Sequence, residues 1–184
     1  MNQKELHSVL SNIAMKLQNR LKKIWILGIL GLCIITSCKK TSEFSYFKDI
    51  KMEILLSDDE GFDLFDPESY TYYYPDSIKI FYIINDLEVE MNNPLLTPPR
   101  NFYVNYANGR YRLQLFPNHD DSIEFPVTLI KLNKTITDTV RCGYERNPGS
   151  ITCTKVWYNG DIVWQKNAPD QARSFEIIRY KKKK

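Results

Sequence analysis

The sequence predicts an all-β domain, an antiparallel β-sandwich, behind a helical signal peptide, and three observations carry that reading. From Ile50 onward apolar residues recur at every second position, the period of a half-buried strand. Two-residue turn signals, Asn85-Asp86, Asn108-Gly109 and Asn159-Gly160, punctuate those runs. No stretch after residue 37 sustains a helical period. Nine or ten short strands of this kind suit two packed sheets, with a closed barrel as the alternative.

The amino-terminal stretch sets the address. Lys16, Arg20, Lys22 and Lys23 precede an uncharged apolar run of 12 residues, Ile24 to Ile35, which ends in Thr36-Ser37-Cys38. That is the plan of a secretory signal peptide. A helix crossing a bilayer needs about 20 apolar residues, so a permanent span fits less well. Residues 1–14 are polar and unusual upstream of such a signal; Met15-Lys16 offers a more ordinary start, and a long polar leader is the alternative.

Ile35, Thr36, Ser37 and Cys38 resemble the lipobox of bacterial lipoproteins, an aliphatic and a small residue ahead of an obligatory cysteine. The resemblance implies a diacylglyceryl group on the Cys38 thiol, cleavage between Ser37 and Cys38 by signal peptidase II, and acylation of the new amino terminus. An ordinary cleaved signal with a chance cysteine is the alternative. Two or three acyl chains hold a protein on a membrane, where one binds only reversibly. Lys39 and Lys40 follow the cysteine, in place of the Asp that retains such proteins at the inner membrane, so the resemblance implies the outer membrane, on its periplasmic or its surface face.

These segments divide the chain into a signal peptide (1–37), a lipidated tether (38–48), a β domain (49–180) and a basic tail (181–184). Removing 37 of the 184 residues leaves 147, enough for one domain with a proper core. The signal carries five of the 25 Lys and Arg and one of the 22 acidic residues, so the mature charge is about −1 rather than +3. Lys181 to Lys184 read as a solvated end, with anionic lipid as the other reading. No feature suggests nucleic-acid binding.

In chain order, Ile50, Met52, Ile54 and Leu56 alternate as a first strand. Ile78, Ile80, Tyr82 and Ile84 run to Asn85-Asp86 and Leu87, Val89 and Met91 run back, so that Ile84 faces Leu87 and Tyr82 faces Val89. Phe102, Val104 and Tyr106 match Leu115, Leu113 and Tyr111 across Asn108-Gly109. Phe125, Val127 and Leu129 form a further strand, and Val140, Cys142 and Tyr144 another. After Asn147-Pro148-Gly149-Ser150, which suits a type II turn, Ile151, Cys153 and Trp157 return along one face. Val163 follows Asn159-Gly160, and Phe175, Ile177 and Arg179 make the last strand.

Between the first two strands lies a long acidic loop. Asp58, Asp59, Glu60, Asp63 and Asp66 are dense enough to suggest a calcium ion, which takes about six to eight oxygen ligands. Their spacing is not that of an EF-hand, and local Asp-to-backbone turns explain the same letters. Tyr70, Tyr72, Tyr73 and Tyr74 then form a candidate partner-binding platform, or an edge packed on its own sheet. With Gly61-Phe62-Asp63-Leu64-Phe65-Asp66-Pro67 and Thr154-Lys155-Val156-Trp157-Tyr158-Asn159-Gly160, the turn-rich pattern resembles a group of small bacterial lipoproteins with an immunoglobulin-like sandwich. That resemblance implies location and fold, and no catalytic residues.

Chemistry is bounded by what is scarce. His119 is the only histidine after residue 37, and Cys142 and Cys153 are not spaced as a zinc pair. They flank one turn, which predicts a disulfide in an oxidising compartment, with buried free thiols as the alternative. His119-Asp120-Asp121-Ser122 reads as a polar turn more readily than as a triad. No cofactor is expected beyond covalent lipid on Cys38, and no metal. The expected function is a non-catalytic, lipid-anchored envelope protein that binds a protein or glycan partner; the alternative is an envelope hydrolase acting on glycan or cell wall, whose two carboxylates can come from anywhere in a chain.

Overall fold

The computed structural model describes Met15, residues 46–167 and residues 172–180. Apart from Met15, the signal peptide, with Ser37 and Cys38 of the lipobox, residues 38–45 of the tether and the four-lysine tail lie outside the described residues. Within them the chain forms eleven strands: β1 (Phe47–Asp49), β2 (Met52–Asp58), β3 (Lys79–Ile84), β4 (Leu87–Glu90), β5 (Phe102–Ala107), β6 (Arg110–Leu115), β7 (Val127–Lys131), β8 (Thr137–Asn147), β9 (Ser150–Tyr158), β10 (Asp161–Gln165) and β11 (Ser174–Arg179). A single 3-10 turn spans Pro75–Ser77.

The strands build two sheets and no barrel. One runs β1-β9-β8-β7-β3-β4, with β10 also paired to β9; the other runs β11-β2-β6-β5. Both are mixed, which corrects the purely antiparallel expectation: β1 lies parallel to β9 and β11 parallel to β2. A tight hairpin enforces the antiparallel sense, and these two strands are not reached through one. β1 spans Phe47–Asp49, at the junction of the expected tether and domain.

The hairpins keep the expected register. Ile84 pairs with Leu87 and Tyr82 with Val89, and Phe102, Val104 and Tyr106 pair with Leu115, Leu113 and Tyr111. Both central residues of each two-residue turn have positive φ: Asn85 50° and Asp86 62°, Asn108 54° and Gly109 79°, Asn159 51° and Gly160 98°. Such turns match the right-handed twist of the strands that they join.

One irregularity rearranges the inward faces. Gly143 pairs with Lys155 but Tyr144 pairs with Cys153, so Thr154 is an extra residue on β9. The insertion reverses the alternation, so Ile151 and Cys153 are buried before it and Val156 and Tyr158 after it. Trp157, expected inside, is turned outward and meets Phe125 edge-on at 5.4 Å. On β7 the buried residues are Thr128 and Ile130, so the expected inward set of Phe125, Val127 and Leu129 is also corrected.

One core joins both sheets. Met52, Ile54, Leu56, Leu113 and Leu115 meet Ile80, Ile130, Val140, Cys142 and Val156, each almost fully buried. Burial of an aliphatic side chain of this size contributes about 1.5–3 kcal/mol. Leu64 and Phe65 plug the same core from within the acidic loop, which is therefore pinned rather than wholly solvated.

Candidate functional site

The domain has two distinct ends. β8 runs from Asp138, in a cavity lined also by Tyr73 and Arg179, to Arg146, in a second cavity lined also by Tyr46 and Lys48. At about 3.4 Å per residue the two β8 residues lie roughly 27 Å apart. The chain enters the domain at the second end. The acidic loop and its tyrosines occupy the first, beside the Asn108-Gly109 and Asn159-Gly160 turns.

The loop is built by carboxylates turned on backbone amides. Asp58 Oδ1 accepts from the N–H groups of Glu60 and Phe62, at 3.0 and 2.9 Å. Asp63 accepts from Phe65 at 3.0 Å and from Tyr111 of β6 at 2.8 Å, and Asp66 accepts from Glu68 at 3.0 Å. These are Asx turns, the local alternative to metal binding. The calcium candidate is therefore not assembled: among the described residues no three His, Cys, Asp or Glu side chains converge to hold a metal ion.

The four tyrosines separate into two roles. Tyr73 packs on the core, with its ring 6.5 Å from Phe65 and its N–H on Leu64 O at 2.8 Å. Tyr72 and Tyr74 meet edge-on at 4.6 Å, and Tyr70 is fully exposed. Tyr106 and Tyr111, 5.0 Å apart across the β5–β6 hairpin, extend the aromatic surface. Slight burial, then the neighbouring Tyr74, Tyr111 and Asp76, push the Tyr72 hydroxyl above its ordinary pKa. The surface is thus aromatic with polar tips, the composition that binds planar or amphipathic partners at low entropic cost.

Beside it is a cavity of about 590 Å³, whose walls include Asp58, Thr71, Tyr73, Thr135, Asp138 and Arg179. Asp138 is fixed from three sides. Tyr158 Oη donates at 2.5 Å, Asn159 Nδ2 at 3.0 Å, and Arg179 forms a close ion pair. Burial lowers the Arg179 pKa and raises that of Tyr158. Two carboxylates share the cavity, but Asp58 is committed to its own turn and Asp138 to this cluster. That arrangement positions a charge rather than freeing an acid or a base.

Cys142 and Cys153, expected to be bonded, are both free and buried in the structure. The neighbouring Cys153 thiol, then burial, raises the Cys142 pKa, and the Cys142 thiol lowers that of Cys153. Cys142 stands opposite Val156 while Cys153 stands opposite Tyr144, so the thiols are diagonal neighbours. Diagonal Cα atoms lie about 7–8 Å apart, beyond the roughly 4.4–6.8 Å that a disulfide spans.

No triad forms around His119. Its Nδ1 faces Pro117 O at 3.2 Å and its Nε2 faces Lys48 Nζ at 3.2 Å, while Ser122 Oγ donates to Asp120 at 2.7 Å.

Sequence reasoning missed Asp138, Arg179, Lys48 and Arg146. Asp138 carried a usable signal, since it stands in phase with Val140 and Cys142 on the buried face of one strand. Arg179 was read as a strand residue only, and its partner lies on the other sheet. No protein-family model, curated protein or solved structure matches the chain.

Proposed function

We propose that the chain is an outer-membrane lipoprotein anchored through Cys38, whose immunoglobulin-like β-sandwich binds a glycan or protein partner without catalysis. One observation carries this reading: the aromatic surface of exposed Tyr70, Tyr74 and Tyr106 with half-buried Tyr72 lies at the end of the domain opposite to the entry of the chain. A short anchor at Tyr46 leaves that surface facing away from the bilayer. The shared cavity of Asp58 and Asp138 is what would favour an envelope hydrolase, but their hydrogen bonds support a structural role.

The test is capture from outer-membrane extract by residues 39–184, compared with the Tyr72→Ala, Tyr74→Ala, Tyr106→Ala variant. Tyr73 is kept, because it belongs to the core. Loss of a captured species in the variant is expected, and periodate or protease treatment of the extract tells glycan from protein. Unchanged capture of every species sinks the reading. The anchor has a separate test: labelled fatty acid is incorporated into the native chain and not into Cys38→Ser.

A further inference from the structure

At the end where the chain enters, β1, β3, β8, β9 and the loop after β6 line a cavity of about 630 Å³. Its cations are Lys48 and Arg146, its carboxylates Asp120 and Asp121, and Tyr46, Ile84 and Ile151 supply apolar wall. Among the described residues neither cation is in an ion pair. Lys48 donates to His119 Nε2 at 3.2 Å, and Arg146 Nη2 donates to the backbone oxygen of Asp120 at 2.8 Å. Asp120 turns its Oδ1 to the N–H and Oγ of Ser122, at 2.9 and 2.7 Å. Charges of both signs therefore line one cavity without forming a contact ion pair.

His119 is neutral in this arrangement. Only a carbonyl faces Nδ1, so Nδ1 carries the hydrogen and Nε2 is the acceptor for the Lys48 ammonium. A neutral ring leaves the positive charge of the cavity on Lys48 and Arg146.

We propose that this cavity takes the zwitterionic phosphoethanolamine headgroup of a membrane phospholipid. The phosphate sits against Lys48 and Arg146, whose ammonium and guanidinium suit a tetrahedral oxyanion. The ammonium sits against Asp120 and Asp121, and the glycerol side faces Tyr46 and Ile84. Leu87, 68% exposed, stands opposite Ile84, so the apolar wall continues onto the surface. The proposal rests on the lipid-anchor reading for its geometry: the eight steps from Cys38 to Tyr46 reach at most about 28 Å, which keeps this end beside the leaflet. A purely anionic headgroup leaves both carboxylates unmatched, and a choline headgroup has no N–H to donate to them.

The test is co-sedimentation of residues 39–184 with vesicles of phosphatidylcholine alone or with phosphatidylethanolamine or phosphatidylglycerol added. These residues contain every core residue and carry no lipid, so the outcome does not depend on whether Cys38 is acylated. Binding is expected to follow phosphatidylethanolamine content, to be competed by O-phosphoethanolamine better than by inorganic phosphate, and to weaken about ten-fold in Lys48→Gln and in Arg146→Gln, the scale of one charge-assisted hydrogen bond. Thermal melting shows that each variant is folded; the competition on the unchanged chain decides where one is not. No binding to phosphatidylethanolamine vesicles, a preference for phosphatidylglycerol, or equal competition by inorganic phosphate overturns the proposal.

Discussion

Tyr158 Oη donates a 2.5 Å hydrogen bond to Asp138 Oδ2, a carboxylate whose side chain is 3% exposed. A charge so deeply placed persists only while its partners do. Asn159, beyond the end of β9, and Arg179, on the other sheet, complete the set, so the cluster joins the two sheets across the wall of the cavity beside the tyrosines.

Removing partners should therefore cost stability in order of charge. Tyr158→Phe loses one hydrogen bond to a carboxylate and should lower the unfolding free energy by about 1–3 kcal/mol. Arg179→Ala leaves the buried carboxylate without its counter-ion, and about 3–5 kcal/mol is expected. Urea unfolding of both variants checks the ranking; a costlier Tyr158→Phe would show that the ion pair is not what compensates Asp138.

The tyrosines give a second ranking. Tyr70→Ala should change stability by less than about 0.5 kcal/mol, as fully exposed positions do. Tyr73→Ala removes a ring packed between Phe65 and Arg179, whose guanidinium lies 5.9 Å from the ring centroid, and should cost about 2 kcal/mol. Equal melting temperatures for the two variants would refute the division between a binding surface and a core tyrosine.

Much of the fold was legible because short turns write their register locally. Asn108-Gly109 fixes which residue of β5 meets which residue of β6, and the side-chain period of two does the rest. The bulge at Thr154 was not legible, since an inserted residue leaves no composition signal and yet turns Trp157 from the core to the surface. Nor was the parallel pairing of β1, whose three residues are too few for a pattern. Leu64 and Phe65 did interrupt the acids of the loop, and an apolar pair among carboxylates could have been read as an anchor. The candidate site was half legible: composition picked out Tyr72 and Tyr74, but Asp138 acquires its partners through contacts more than 15 residues distant in the chain.

The thiols give a third prediction. Cys142 is 1% and Cys153 0% exposed, and Cys153 Sγ lies 3.6 Å from the backbone oxygen of Lys155. Neither should react with iodoacetamide in the native domain, and both should react in urea without prior reduction. Intact mass reads the two added groups; none added in urea would mean that the hairpin shifts register and closes the disulfide.

The last prediction concerns pH. Burial, followed by the charges of Lys48 and Arg146, holds the His119 pKa below its ordinary value of 6.5, against the opposing effects of the Pro117 carbonyl and Asp120. The unfolded chain therefore takes up the proton first. Stability linked to this ring is fully present above about pH 6.5, and is lost as pH falls from there through the lower folded-state value. Protonation also ends the Lys48 hydrogen bond, because Nε2 then carries a hydrogen and a like charge faces the ammonium. His119→Gln keeps a carbonyl oxygen as acceptor for Lys48 and cannot titrate. Urea midpoints measured between pH 7.5 and 5 should fall more for the native chain than for the Gln variant. Parallel curves would mean that carboxylates, and not His119, set the acid sensitivity of this end of the domain.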